Sequence, residues 1–176
     1  MNADPRIQLL LDKQEIHELA LLYCRGVDRK DPELLRSLYT EDAIDNHGTV
    51  FRGPADQYVA FLEQVFDIIE IGAHYVTNHL VHVDGDTAQG EVYALGYHIF
   101  AGPEGTSTES FVGVRYLDRY RREAGQWRIE LREVLFDLDR TRPIEHRGAT
   151  HGQPDQDPSY QLLDAAMFAR RGPRRS

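Results

Sequence analysis

Cysteine is all but missing from this 176-residue chain, in which Cys24 stands alone. One thiol cannot close an intrachain disulfide, and without a Cys/His ligand spacing there is no zinc site to expect, so a reducing compartment is the default. Long apolar runs are missing too. None approaches the ~20 residues that span a bilayer, and no basic-then-apolar leader opens the chain, so the expectation is a cytoplasmic protein with no membrane partner. Basic charge is scarce: 20 Lys+Arg against 29 Asp+Glu leave a net −9. That balance argues against a nucleic-acid partner, which requires a basic surface. There is no Gly-Xaa-Ser-Xaa-Gly elbow, no glycine-rich phosphate loop and no Cys–His nucleophile arrangement, which argues against covalent catalysis and nucleotide use. No repeat with a period of 20–50 residues and no low-complexity tract appears.

What is present is ordinary for one globular domain. Hydrophobic residues make up 41% and charged residues 28%, and a chain of this length buries roughly 70% of its unfolded surface around a single core. Asp4-Pro5 reads as a cap followed by a first-turn proline. Ile16, Leu19, Ala20, Tyr23 and Val27 then recur at three- and four-residue steps, giving a helix that ends near Val27. Asp31-Pro32 repeats the signal for a short helix to about Tyr39, and Gly53-Pro54 opens a third with Tyr58, Phe61, Leu62, Val65 and Phe66 on its apolar stripe. Residues 43–51 between them read as a short strand or loop. From His74 the texture is that of strands, over His74–Val83, Ala88–Phe100, Phe111–Tyr120 and Trp127–Asp137, with turn signals at Asp84-Gly85, Gly102-Pro103 and Ala124-Gly125. Helices followed by an antiparallel meander predict an α+β fold, helices on one face of a curved sheet with a pocket between the layers. After Arg142 the composition turns to Pro, Gly, His, Asp and Gln. Residues 1–142 therefore read as the domain and 143–176 as a tail draped on the surface or partly disordered.

Two polar residues border the expected apolar layer. Asp28 lies on the line Ala20, Cys24, Asp28 at the end of the first helix, where a carboxylate faces the negative end of the helix dipole at ~0.3–1 kcal/mol. It is either a solvated loop aspartate or one with a compensating partner. A two-residue turn at Asp84-Gly85 or Gly85-Asp86 sets His74 opposite Leu95 or Tyr97, beside Tyr93 and Ile99 and on the same side as Val76. An imidazole there is either a hydrogen-bonded core histidine or a base available near neutral pH. The same register turns His98 to the far face. Strand parity groups Arg132 with Arg128 and Glu130 on a polar face unless a bulge intervenes, and Tyr23 is either core or a hydroxyl offered to the pocket. His79 and His82 point to opposite faces and His74 lies too far along the strand to join them, so no metal site is expected. Both strand faces carry apolar residues, which predicts a homodimer or homotrimer covering the face that the helices do not.

Gly26-Val27-Asp28, Gly53-Pro54, His74-Tyr75-Val76-Thr77-Asn78 and the segment Trp127 to Arg132 together resemble, in order and spacing over about residues 8–140, the SnoaL-like family of the nuclear-transport-factor-2-like superfamily. Within it the likeness is to the hexachlorocyclohexane dehydrochlorinases and, more distantly, to the scytalone and bile-acid dehydratases. The resemblance implies a cone-shaped α+β barrel enclosing a pocket. It also implies a cofactor-free lyase or isomerase in which His74 removes a proton from a hydrophobic, ring-bearing small molecule while Asp28 orients the imidazole. Tyr23, Tyr97, Arg132, Val76 and Leu95 are then the residues expected to touch substrate. A tyrosine at 23, where the dehydrochlorinase carries lysine, is closer to the dehydratases. The superfamily also contains polyketide cyclases, binding modules and small subunits of ring-hydroxylating dioxygenases, which remain alternatives at this point.

Overall fold

A computed structural model describes residues 4–145 and 156–172. The first helix, α1 (Pro5–Asp28), begins where the Asp4 carboxylate accepts the Arg6 backbone N–H at 2.9 Å and Pro5 occupies the first turn. Its stripe Ile16, Leu19, Ala20, Tyr23, Cys24 and Val27 is buried. At Gly26 it passes so close to the next helix that a Cβ would meet the Leu35 side chain at 2.7 Å. That helix, α2 (Pro32–Leu38), is capped by Asp31 through the Leu34 N–H at 3.2 Å. Lys30, in the left-handed region at φ 51°, donates to the carbonyls of Phe66 and Ile69 at 2.7 and 2.6 Å, which ties the end of α1 to the start of the first long strand.

Besides α3 (Ala55–Val65) and a short α4 (Ser159–Leu162), the chain contains the strands β1 (Tyr39–His47), β2 (Phe51–Pro54), β3 (Ile69–Asp84), β4 (Thr87–Ala101), β5 (Thr106–Glu123) and β6 (Gln126–Glu145). They form one six-stranded sheet in the order β2-β1-β6-β5-β4-β3. All pairings are antiparallel except β1 with β6, which is parallel. The architecture is α+β as expected: helices pack on a curved, mostly antiparallel sheet left open at the β2 and β3 edges. Two differences from the sequence reading stand out. Residues 39–47 make a full strand, and β6 continues through the Arg142 boundary because its backbone finds partners in β5 as far as Thr106↔Glu145. Residues 146–155 of the expected tail lie outside the described residues. Those at 156–172 lie along the α1–α2 junction, where Arg25 donates to Ser159 Oγ and to the Phe168 carbonyl at 3.0 and 2.8 Å.

Two β-bulges correct the expected faces. The β3–β4 turn is the two-residue loop foreseen, with Asp84 opposite Thr87. Between Val76 and His79, however, Thr77 and Asn78 together oppose Tyr93, and the Thr77 hydroxyl donates to the Tyr93 carbonyl at 3.1 Å. One extra residue turns the rest of the strand over. His74 consequently pairs with Gly96, not with Leu95 or Tyr97, and lies on the side of His98. In β6 the extra residue is Glu130, since Tyr120 pairs with Ile129 and Arg119 with Leu131. This brings both Ile129 and Arg132 inward, where each is fully buried.

Candidate active site

The last residue of α1 and the middle of β3 meet at one carboxylate. Asp28 Oδ2 accepts the His74 backbone N–H at 3.0 Å, and Oδ1 lies 2.6 Å from His74 Nδ1. Two donors thus compensate a charge placed at the unfavourable end of a helix dipole. A carboxylate only accepts, so Nδ1 carries the hydrogen and the Nε2 lone pair of a neutral ring is left unspent. The side chains are largely enclosed, at 9% exposure for His74 and 13% for Asp28. Gly96 leaves room for the neighbouring His98 ring, since a Cβ there would sit 3.1 Å from that ring and 3.0 Å from Val112.

His74 borders a cavity of about 300 Å³ whose walls include Val27, Leu62, Val65, Phe100 and Val112. The volume matches the lower end of small-molecule sites. His98 is also in the wall, its ring edge-on to His74 with centroids 4.9 Å apart. Burial, then the neighbouring His74, pushes His98 down to about 4 against the opposing pull of Asp28, so it is neutral near pH 7. Tyr23 and Tyr58 line the cavity with hydroxyls 2.9 Å apart. Burial holds both phenols well above their ordinary range. His47 is in the wall as well, its Nδ1 2.9 Å from the fully buried Asp45, and Ser110, Asp139 and Thr141 add further polar groups to the lining.

The other residues expected to touch substrate are placed elsewhere. Tyr97 donates its hydroxyl to Glu109 at 2.8 Å and belongs to a separate depression with Arg142, because the bulge turned its face away from His74. Leu95, opposite Tyr75, is outside the lining for the same reason, and Val76 packs against the core below it. Arg132 is inside the protein but under the cavity: its guanidinium makes a two-point pair with Asp118 at 2.9 and 2.7 Å and is sandwiched by the rings of Tyr23 and Tyr116 at 4.3 and 4.2 Å. Tyr23 alone of those five lines the cavity. His47, Tyr58 and Asp45 were not foreseen. The alternation Ala43, Asp45, His47 was a strand signal in a stretch read as strand or loop, and it places Asp45 and His47 on one face. Outside this cavity, His17 and His79 share a broad surface depression, with Nδ1 atoms 3.1 Å apart. Burial and His17 push His79 down to about 4. Among the described residues no group of three or more His, Cys, Asp or Glu is placed to hold a metal ion, and no helix is long and apolar enough to cross a membrane.

Residues 8–133 match the model of the SnoaL-like domain. An uncharacterised protein of Mycobacterium tuberculosis, Rv2910c, is 30% identical over 120 residues, 67% of this chain and 80% of that protein. Among solved structures, a hexachlorocyclohexane dehydrochlorinase (LinA) of type 2 superposes with a TM-score of 0.70 at 18% identity, covering 82% of this chain and 97% of its own. A putative scytalone dehydratase from Novosphingobium aromaticivorans gives 0.67 at 22% identity, covering 80% and 92%. A putative aromatic ring hydroxylase from the same organism gives 0.65 at 26% identity, covering 77% and 94%.

Proposed function

The chain belongs to the SnoaL-like domain family, and from that membership we propose that it is a cofactor-free lyase or isomerase. In this reading His74 is the general base and Asp28 its positioning residue. The observation that carries the reading is the 2.6 Å contact between Asp28 and His74 Nδ1 at the wall of an apolar cavity. It fixes the tautomer that leaves Nε2 as the proton acceptor, and a positioned base of this kind contributes ~10²–10⁴ in rate. The substrate is a hydrophobic, ring-bearing small molecule with a C–H acidified by a neighbouring carbonyl. Imidazole is strong enough for such a proton, and the largely aliphatic and aromatic walls suit such a ring.

The acid–base chemistry is contained in the side chains. Asp28 holds the imidazole and offsets the positive charge that His74 gains when it takes the proton, and α1 and α3 supply the apolar side chains of Val27, Leu62 and Val65 to the same cavity wall. Fold likeness to a dehydrochlorinase and to a dehydratase supports the reaction class, elimination or isomerisation, and leaves the substrate to the cavity walls. The test is turnover of a panel of ring-bearing ketones and hydroxy ketones by chelator-treated protein. His74→Ala is expected to lose activity by about 10²-fold or more and Asp28→Asn to lose most of it, with the fold unchanged. Turnover that survives His74→Ala sinks the assignment of His74 as the base, and a folded wild type that turns over none of the panel favours a binding module instead.

A further inference from the structure

The same cavity holds a second histidine–carboxylate pair that proton abstraction by His74 does not use. His47 Nδ1 lies 2.9 Å from Asp45 Oδ1, and Asp45 Oδ2 accepts the Tyr39 hydroxyl at 2.7 Å. Asp45 is fully buried, and its two oxygens face only polar partners, the His47 ring and the Tyr39 hydroxyl. The ring of His47 stacks on Tyr58 at 4.7 Å, with Nε2 3.3 Å from the Tyr58 hydroxyl, and that hydroxyl is 2.9 Å from Tyr23. The two pairs come from distant parts of the sheet, since β6, β5 and β4 lie between β1 and β3. They therefore enter the cavity from different walls.

An elimination that expels an oxygen needs two proton transfers, and His74 performs one. We propose that His47, held by Asp45, is the acid half of the site and supplies, through Tyr58 and Tyr23, the proton taken up by a departing hydroxyl. The inference rests on His74 acting as the base and narrows the leaving group to a hydroxyl, since a halide departs without a proton. As His74 Nε2 takes the proton from carbon, the C–H electron pair becomes the new C=C bond and the C–O bond breaks. Tyr23 gives its hydroxyl proton to the leaving oxygen, Tyr58 replaces it, and His47 Nε2–H replaces that of Tyr58. Water and the alkene form, His74 has gained one proton and His47 has lost one, and exchange with solvent restores both. Nothing is oxidised or reduced.

The alternatives within the cavity are weaker. Burial pushes both tyrosine hydroxyls up, so neither persists as a phenolate and each must be replenished at once. His98, pushed down to about 4, carries no proton to give near neutrality. The Arg132 guanidinium against the ring of Tyr23 favours negative charge on that oxygen as its proton leaves.

The probe is 3-hydroxy-1-tetralone, a bicyclic β-hydroxy ketone that becomes 1-naphthol on loss of water, incubated with the full chain in D₂O. Naphthol reports elimination, and deuterium at the carbon beside the carbonyl reports proton abstraction. His47→Gln removes the proton source. Tyr58→Phe interrupts the relay while leaving the His47–Asp45 contact in place, and being nearly isosteric it carries the test if His47→Gln does not fold. The ratio of elimination to exchange is expected to fall at least about tenfold in both variants, because the acid step alone is impaired. A ratio unchanged in Tyr58→Phe and His47→Gln overturns the inference while leaving His74 as the base. A wild type that neither exchanges nor eliminates removes the base reading itself, and the acid role falls with it.

Discussion

The Arg132–Asp118 pair offers a perturbation whose size follows from the structure. Both side chains are completely buried and joined by two short hydrogen bonds, Asp118 also accepts the Tyr120 hydroxyl at 2.9 Å, and Arg132 Nη1 finds no hydrogen-bond partner among the described residues. Asp118→Ala therefore strands a guanidinium in the core, with only the Tyr23 and Tyr116 rings against it. Removing one partner of a buried ion pair costs about 3–5 kcal/mol. At about 2–4 °C per kcal/mol for a chain of this size, the melting temperature should fall by about 6–20 °C. The double replacement Arg132→Met with Asp118→Leu should recover most of that loss, because no uncompensated charge remains and the volume is roughly kept. Urea denaturation of Arg132→Met, Asp118→Leu and the double variant measures the cycle. A cost below about 1 kcal/mol for Asp118→Ala would refute the reasoning. So would an Arg132→Met variant that keeps its stability but loses ligand affinity, since that is the behaviour of a substrate contact.

Acid should weaken the fold in a defined window. His98 and His79 titrate near 6.5 when unfolded and at about 4 when folded. Between those values the unfolded chain binds more protons, and stability falls as the pH drops from about 6.5 to about 4. For the more enclosed His98 the slope approaches ~1.4 kcal/mol per pH unit, and the more exposed His79 adds less. Denaturation midpoints from pH 7 to pH 4 would show it, and His98→Gln should flatten the slope. Gly96→Ala places a Cβ 3.0 Å from Val112 and 3.1 Å from the His98 ring, so it should destabilise by about 1–3 kcal/mol and reduce turnover by displacing the His98 ring that packs edge-on against His74. Thermal melts and kinetics of that variant check the two effects together. Tyr75, Leu80 and Leu138 are exposed on the sheet at 62%, 67% and 47%. Light scattering should accordingly find a dimer or trimer, with a monomer at high concentration as the contrary result.

The helices were legible because each announces itself locally: a capping aspartate, a proline in the first turn and an apolar stripe fix α1 and α2 to within a residue or two of their ends. The strands were legible as elements and illegible as faces. Whether Thr77-Asn78 bulges, or Glu130 inserts an extra residue in β6, depends on partners in β4 and β5 that the local sequence does not display. One such residue moves Tyr97 and Leu95 away from His74, and another turns Arg132 from the surface to the core. Asp28 and His74 were reached through the resemblance: Asp28 does end α1, whereas His74 lies inside β3, which starts at Ile69, and the bulge moved its partner to Gly96. The parallel pairing of β1 with β6, which brings His47 into the cavity wall with Asp45 buried behind it, is a non-local contact with no periodic mark in either segment.

The most direct measurement of the central claim is deuterium uptake from D₂O at the acidic carbon of a bound ring ketone, such as 1-tetralone, catalysed by the metal-free protein. Uptake isolates proton abstraction from every later step. The wild type should accelerate it, His74→Ala should lose about 10²-fold or more of that acceleration, and Asp28→Asn should fall between the two. Exchange at the wild-type rate in a folded His74→Ala variant would contradict the assignment of His74 as the base.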